Sequence, residues 1–174
     1  PNGAVATADL WVRSGAADEP AELAGISHFL EHMLFKGTEK RAVGEIDREI
    51  DSVGGEMNAA TGRDYTHYYI TVASDYVSTG LDVLSDLIMN STLDPDEMES
   101  ERQVILEEYR RKQDSPFGYL FDEIYDVAYR AGPYKQSIIG TTASLTTMTR
   151  AQLMEYYRRY YTPDNMALVV AGDV

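Results

Sequence analysis

Hydrophobic and polar positions switch between two periods along this chain. From Ala4 to Arg13, Val5, Leu10, Trp11 and Val12 read as a strand that ends at Ser14-Gly15. From Glu22 to Phe35 the period becomes helical, with Leu23, Ile26, Leu30 and Leu34 along one flank. Val43 to Val53 repeats that pattern through Ile46, Ile50 and Val53, and Gly54-Gly55 closes it as a C-cap. Met57 to Thr61 and Tyr65 to Ala73 return to period two as a pair of strands joined by a Gly62-Arg63-Asp64 turn. In the second strand Tyr65, His67, Tyr69 and Thr71 alternate with Thr66, Tyr68, Ile70 and Val72, so at least one face is aromatic and buried.

Three helices follow, from Val77 to Met89, Asp96 to about Lys112, and Phe117 to Arg130. Asp94 caps the second of them, with Pro95 at its first position. A loop rich in Gly and Thr then leads to a helix from Thr149 to Tyr160. A final strand, Met166 to Gly172, follows Pro163 and reads as buried. A helical block set between strand pairs predicts an α+β fold, a mostly antiparallel sheet packed against helices, rather than a doubly wound sheet.

Composition narrows the class. The 174 residues suffice for one domain with a sizeable core, and 44% hydrophobic with 25% charged residues excludes a disordered tail. No run approaches the eighteen apolar residues of a membrane span, and the first residues do not read as a basic-then-apolar leader. With no initiator Met and an apolar strand near the last residue, both ends are expected to be cuts in a longer protein. The absence of cysteine excludes disulfides, thiolate zinc sites and cysteine nucleophiles. Fifteen Lys and Arg against 29 Asp and Glu give a net charge of −14, which repels a phosphate backbone and excludes nucleic acid as a partner. A basic or neutral peptide suits that field better.

The chemistry concentrates in His28-Phe29-Leu30-Glu31-His32. On a helix, residues four apart lie one turn above each other, so both imidazoles can face one ion, with Glu31 at the edge of that face. Zinc accepts such neutral nitrogens, and a nearby carboxylate can take a proton from water. With 3 His in the chain, this spacing is expected by accident only roughly 0.004 times. A third ligand must come from another element. The helix from Asp96 carries Glu101 and Glu108 seven residues apart on one stripe, with Val104 between them, and the pattern alone does not choose between them. A solvated, charge-rich helix is the competing reading. His67, among tyrosines, reads as a satisfied, partly buried histidine. Tyr156, Tyr157, Tyr160 and Tyr161 read as packing with hydroxyls near the surface. The small residues of Asn58-Ala59-Ala60-Thr61 allow another backbone to approach, as in strand addition by an extended peptide.

Taken together, Gly25-Ile26-Ser27-His28-Phe29-Leu30-Glu31-His32-Met33-Leu34-Phe35-Lys36-Gly37-Thr38 resembles the active-site helix of the pitrilysin and insulinase family of inverted-motif zinc metallopeptidases. The likeness is greatest to the β subunit of the mitochondrial processing peptidase and its bacterial homologues. Gly54-Gly55-Glu56-Met57-Asn58-Ala59-Ala60-Thr61, Thr66-His67-Tyr68-Tyr69, Glu101 to Glu108, Gly140-Thr141 and Tyr161 to Met166 follow in the family's order. The resemblance implies a zinc-dependent metalloendopeptidase that binds one Zn2+ through His28, His32 and Glu108, with Glu31 as general base. Glu101 would be a second catalytic acid that orients a ligand histidine or assists proton movement. Phe35 would wall the pocket beyond the scissile bond, and Asn58, Ala59, Ala60 and Thr61 would receive the substrate as an added strand.

The resemblance covers residues 1–174 as most of an N-terminal catalytic domain, and it implies a second, related domain that this chain does not include. It implies a peptide substrate and a homodimer or sister subunit as partners. Gly118 stands where processing peptidases carry an acid that reads a basic residue, while Asp122 keeps the neighbouring one, which implies a broader peptidase of bacterial type. A bacterial cytoplasm or an organelle matrix fits that likeness. The alternative within the same resemblance is a non-catalytic partner or scaffold subunit.

Overall fold

The period-two segments form one antiparallel sheet in the computed structural model, which describes residues 4–174. Strands β1 (Val5–Val12), β2 (Glu56–Thr61), β3 (Thr66–Ala73) and β4 (Met166–Gly172) lie in the order β2-β3-β1-β4. The register sets Tyr68 opposite both Leu10 and Ala59. Pleating then puts Ala8, Val12, Thr66, Tyr68, Ile70 and Val72 on one buried face, and leaves Trp11, His67 and Tyr69 on the other, partly exposed.

Among the described residues seven helices cover the buried face and its margins: α1 (Ile26–Leu34), α2 (Glu45–Ser52), α3 (Val77–Met89), α4 (Pro95–Asp114), α5 (Pro116–Ala128), α6 (Thr142–Thr147) and α7 (Arg150–Tyr160). Helices α3 to α7 lie between β3 and β4 in the chain, as an α+β fold requires. Asp94 caps α4 by accepting from the Asp96 and Glu97 amides, and Gly54 and Gly55 close α2 on the carbonyls of Asp51 and Ile50.

Helix α1 is anchored on one side only. Ile26, Phe29, Leu30, Met33 and Leu34 are wholly buried, and each contributes about 2 kcal/mol by leaving water. The intervening positions 28, 31 and 32 therefore have a fixed direction away from the core. The helix starts at Ile26, later than the expected Glu22, after a separate turn at Ala21–Leu23. Gly25 stops the period with φ +92°, and a Cβ there would lie 2.5 Å from the Ile139 carbonyl oxygen. Gly140, at φ +85°, would place its Cβ 2.2 Å from the Ala24 oxygen. Two backbones cross at this point with no room for a side chain. Gly140→Ala is expected to destabilise the fold by about 2 kcal/mol or more, read as a lower thermal midpoint. An unchanged midpoint would contradict the crossing.

Three further expectations are corrected. The stretch expected as a Gly- and Thr-rich loop contains α6, too short to form on propensity alone. It is held by tertiary bonds: Ser144 Oγ donates to the Ala24 oxygen at 2.6 Å, and the Arg102 guanidinium caps its far end on the Leu145 and Met148 carbonyls. The strand expected as buried, β4, is a sheet edge: among the described residues β1 alone pairs with it, and its Leu168, Val169 and Val170 are exposed. The tyrosine hydroxyls are not all superficial: those of Tyr68 and Tyr161 bond at 2.7 Å in the interior, and that of Tyr156 meets Ser14 and Ser27. Helix α5 buries no residue and exposes Phe117, Phe121 and Val127. No helix among the described residues is long and apolar enough to cross a membrane.

Candidate metal centre

The exposed flank of α1 meets α4 and the edge strand β2. His28 and His32 sit one turn apart with ring centroids 4.6 Å from each other. Glu108 Oε2 stands 3.6 Å from His28 Nε2 and 3.5 Å from His32 Nε2. One ligand atom from each of these three residues falls within 4.8 Å of the others, which makes them a group able to hold a metal ion.

Glu101 and Glu108 do share a stripe of α4, and the structure gives them different surroundings. Glu101 is 5% exposed. Its Oε1 lies 2.8 Å from His32 Nδ1 and its Oε2 2.7 Å from Lys36 Nζ, so it grips the back of the imidazole whose front faces Glu108. Glu108 is half-exposed and points at both histidines. Val104 between them is exposed rather than packed. Lys36 was not a candidate in the sequence, although its place four residues after His32 puts it on the same flank of the chain.

Electrostatics separates the two imidazoles. Burial pushes His28 down to about 4, with the neighbouring His32 adding to the effect and Glu108 opposing it. Its ring is thus neutral near pH 7 and has a lone pair to offer. For His32 burial acts in the same direction, but the hydrogen bonds with Glu101 and Glu108 outweigh it and raise the group to about 9. Glu108 is held below its ordinary value, chiefly by its bond with His32 and against burial. For Glu101 burial raises the pKa, and the bonds from His32 and Lys36 override it, so the net shift is downward. A neutral imidazole beside two carboxylates that already stabilise a positive charge is a donor set suited to a divalent cation.

Glu31 stands at the edge of this group. Burial raises its pKa, and the Thr61 hydroxyl, which donates to Glu31 Oε2, pulls it partly back. That bond ties α1 to β2. Two clefts flank the cluster along the strand. One, about 270 Å³, is lined by His28, Glu31, Ala60, Thr61, Glu108 and Lys112 among others. The second, about 250 Å³, is lined by Glu31, His32, Phe35, Lys36, Asn58 and Glu101. Asn58, Ala60, Thr61 and Phe35 thus border the group, while Ala59 turns to the core side of β2 and packs against it. A larger depression of about 530 Å³ beside Arg41 and Arg48 shares no residue with either.

Two other sequence candidates have ordinary partners. His67 Nδ1 is 3.0 Å from Asp9 Oδ1, and its ring stacks on Trp11 at 4.3 Å. Asp122 is bonded by Lys112 Nζ at 2.7 Å and by the Ser137 hydroxyl at 3.0 Å, so it is not a free acid at the cleft.

The family model described as insulinase, peptidase family M16, matches residues 1–142. The chain belongs to the M16 insulinase family. A second M16 model, described as the inactive domain, matches residues 147–174. Among M16 relatives, a zinc protease of Mycobacterium leprae is 40% identical over 169 residues, 97% of this chain and 38% of that protein. The β subunit of the mitochondrial processing peptidase of Blastocladiella emersonii is 37% identical over 174 residues, all of this chain and 37% of its own. The crystal structure of a protease from Helicobacter pylori superposes with a TM-score of 0.94 at 32% identity, covering 98% of this chain and 42% of that one. The M16 assignment therefore rests on both sequence and fold, and the chain spans about two fifths of the length of these relatives.

Proposed function

We propose that this chain is most of the metal-binding first domain of a zinc-dependent metalloendopeptidase that cuts peptides or unfolded segments held as an extended strand. The observation that carries the proposal is the convergence of His28, His32 and Glu108 within 4.8 Å, with Glu31 beside them. These three would hold one zinc ion, which supplies Lewis acidity to a scissile carbonyl and makes a water easier to deprotonate.

The remaining roles follow from the residues themselves. Glu31 takes the proton of the attacking water and later returns it to the leaving amine, work for which a carboxylate raised above its ordinary pKa is suited. The Thr61 hydroxyl orients Glu31 from β2. Glu101 keeps the proton of His32 on Nδ1 and leaves Nε2 to face inward, and Lys36 holds Glu101 in turn. The free edge of β2 pairs with substrate backbone between the two clefts, Asn58 to Thr61 giving the register and Phe35 walling one side. A second, related domain and a homodimeric or sister-subunit partner complete the proposal.

The test is peptide cleavage by the full-length protein with and without a zinc chelator. Cleavage that stops on chelation and returns with zinc supports the peptidase. Hydrolysis that survives chelation, or none from the zinc-loaded protein, would overturn it, the latter in favour of a scaffold subunit.

A further inference from the structure

The start of α1 is held by a carboxylate that has no part in the chemistry above. Glu19, 6% exposed, accepts from the Gly25 amide at 2.7 Å through Oε2 and from the Ser27 amide at 2.9 Å through Oε1. A helix start leaves its first N–H groups without partners inside the helix. Usually a Ser, Asp or Asn at the capping position supplies the acceptor. Here that position is Gly25, where no side chain fits because of the Ile139 carbonyl. The acceptor has to reach in from elsewhere, and Glu19 does so with both oxygens.

The same turn is held from two further sides. The Ser27 hydroxyl lies 2.9 Å from that of Tyr156 on α7, which also meets the Ser14 hydroxyl at 2.8 Å, all in the interior. The backbone crossing at Gly140 and the Ser144 bond to the Ala24 oxygen press on the segment just before it. Keeping Glu19 there is costly: burial lifts its pKa to about 7 despite the pull of both amides. His28 is the residue after Ser27. His32 is fixed separately by Glu101, whereas the Nδ1 of His28 is buried with no partner among the described residues. Among the described residues the polar partner of its ring is Glu108 alone, so the helix turn that carries His28 has to set its place.

We infer that Glu19 is a positioning residue for the metal centre: by holding the Gly25 and Ser27 amides it fixes the first turn of α1, and with it where His28 stands opposite Glu108. The inference rests on the metal-binding reading of His28, His32 and Glu108.

The test compares Glu19→Ala and Glu19→Gln with Ile50→Val, which trims a buried side chain of α2 and leaves the Gly25 and Ser27 amide bonds in place. Zinc affinity is read by competition with a chromophoric chelator, and backbone amide exchange across residues 25–28 is read in the metal-free chain. Glu19→Ala is expected to weaken zinc binding by about tenfold or more and to speed exchange at the start of α1. Glu19→Gln, which retains one acceptor oxygen in the same shape, recovers part of both. Ile50→Val lowers the thermal midpoint while leaving zinc affinity alone. Equal zinc affinities in Glu19→Ala and Ile50→Val would make Glu19 merely structural and overturn the inference. If Glu19→Ala does not fold, Glu19→Gln carries the same comparison. A wild-type chain that takes up no zinc would defeat the metal reading itself. The positioning role falls with it, and the exchange data then decide only whether Glu19 fixes the first turn of α1: unchanged protection at residues 25–28 overturns that, and faster exchange sustains it.

Discussion

Replacing Glu31 by Gln is expected to lower peptide turnover by the full-length protein by roughly 1000-fold, the scale of losing a general base, while zinc content stays the same. The two halves of that result have separate causes. Gln has the shape of Glu and keeps an oxygen for the Thr61 hydroxyl, so α1 and β2 stay tied. It cannot accept a proton from water. Glu31 is not among the three residues whose ligand atoms converge, so the metal group is untouched. Turnover and zinc content measured on one preparation check both halves. Appreciable hydrolysis by the variant, with contamination excluded, would remove Glu31 from its role; lost zinc would move it into the ligand set.

The second large effect separates the two acids of α4. Glu108→Gln is expected to weaken zinc binding by more than about 100-fold, beyond what losing an outer hydrogen-bond partner costs. Glu101→Gln should cost about tenfold, within that range. The reason is position: Glu108 Oε2 faces Nε2 of both histidines, whereas Glu101 meets one of the two, His32, and at its far nitrogen. Competition titrations on the three proteins would rank them. The reverse order would exchange the roles of the two glutamates.

That contrast also marks how far the sequence can be read. The pair His28 and His32 is legible because four residues make one helical turn, and this depends on nothing beyond α1. The third partner is not, because residues 101 and 108 are equivalent on a helix and only the packing of α4 against α1 distinguishes them. The strands and most helices were visible for the same local reason. What escaped was set at a distance. The late start of α1 is set at Gly25, whose backbone crosses Ile139 and Gly140 from far along the chain, and α6 persists through Arg102 and Ser144 rather than its own residues. Lys36 carries no signal until Glu101 is beside it. The tyrosines at positions 156 and 161 look superficial in a list of polar hydroxyls, yet Ser27 and Tyr68 give them buried partners.

The apolar edge at β4 bears on how the chain behaves in solution. Leu168, Val169 and Val170 lie exposed on a strand that, among the described residues, is paired on one side alone, which makes it a template for a second β4. Opposing this is a net charge of −14 on every copy. That repulsion reaches about 10 Å at 0.1 M salt and about 3 Å at 1 M, while salt does little to weaken apolar contact and backbone pairing. Ionic strength therefore sets the balance, and the chain keeps apart from its own kind best in dilute buffer.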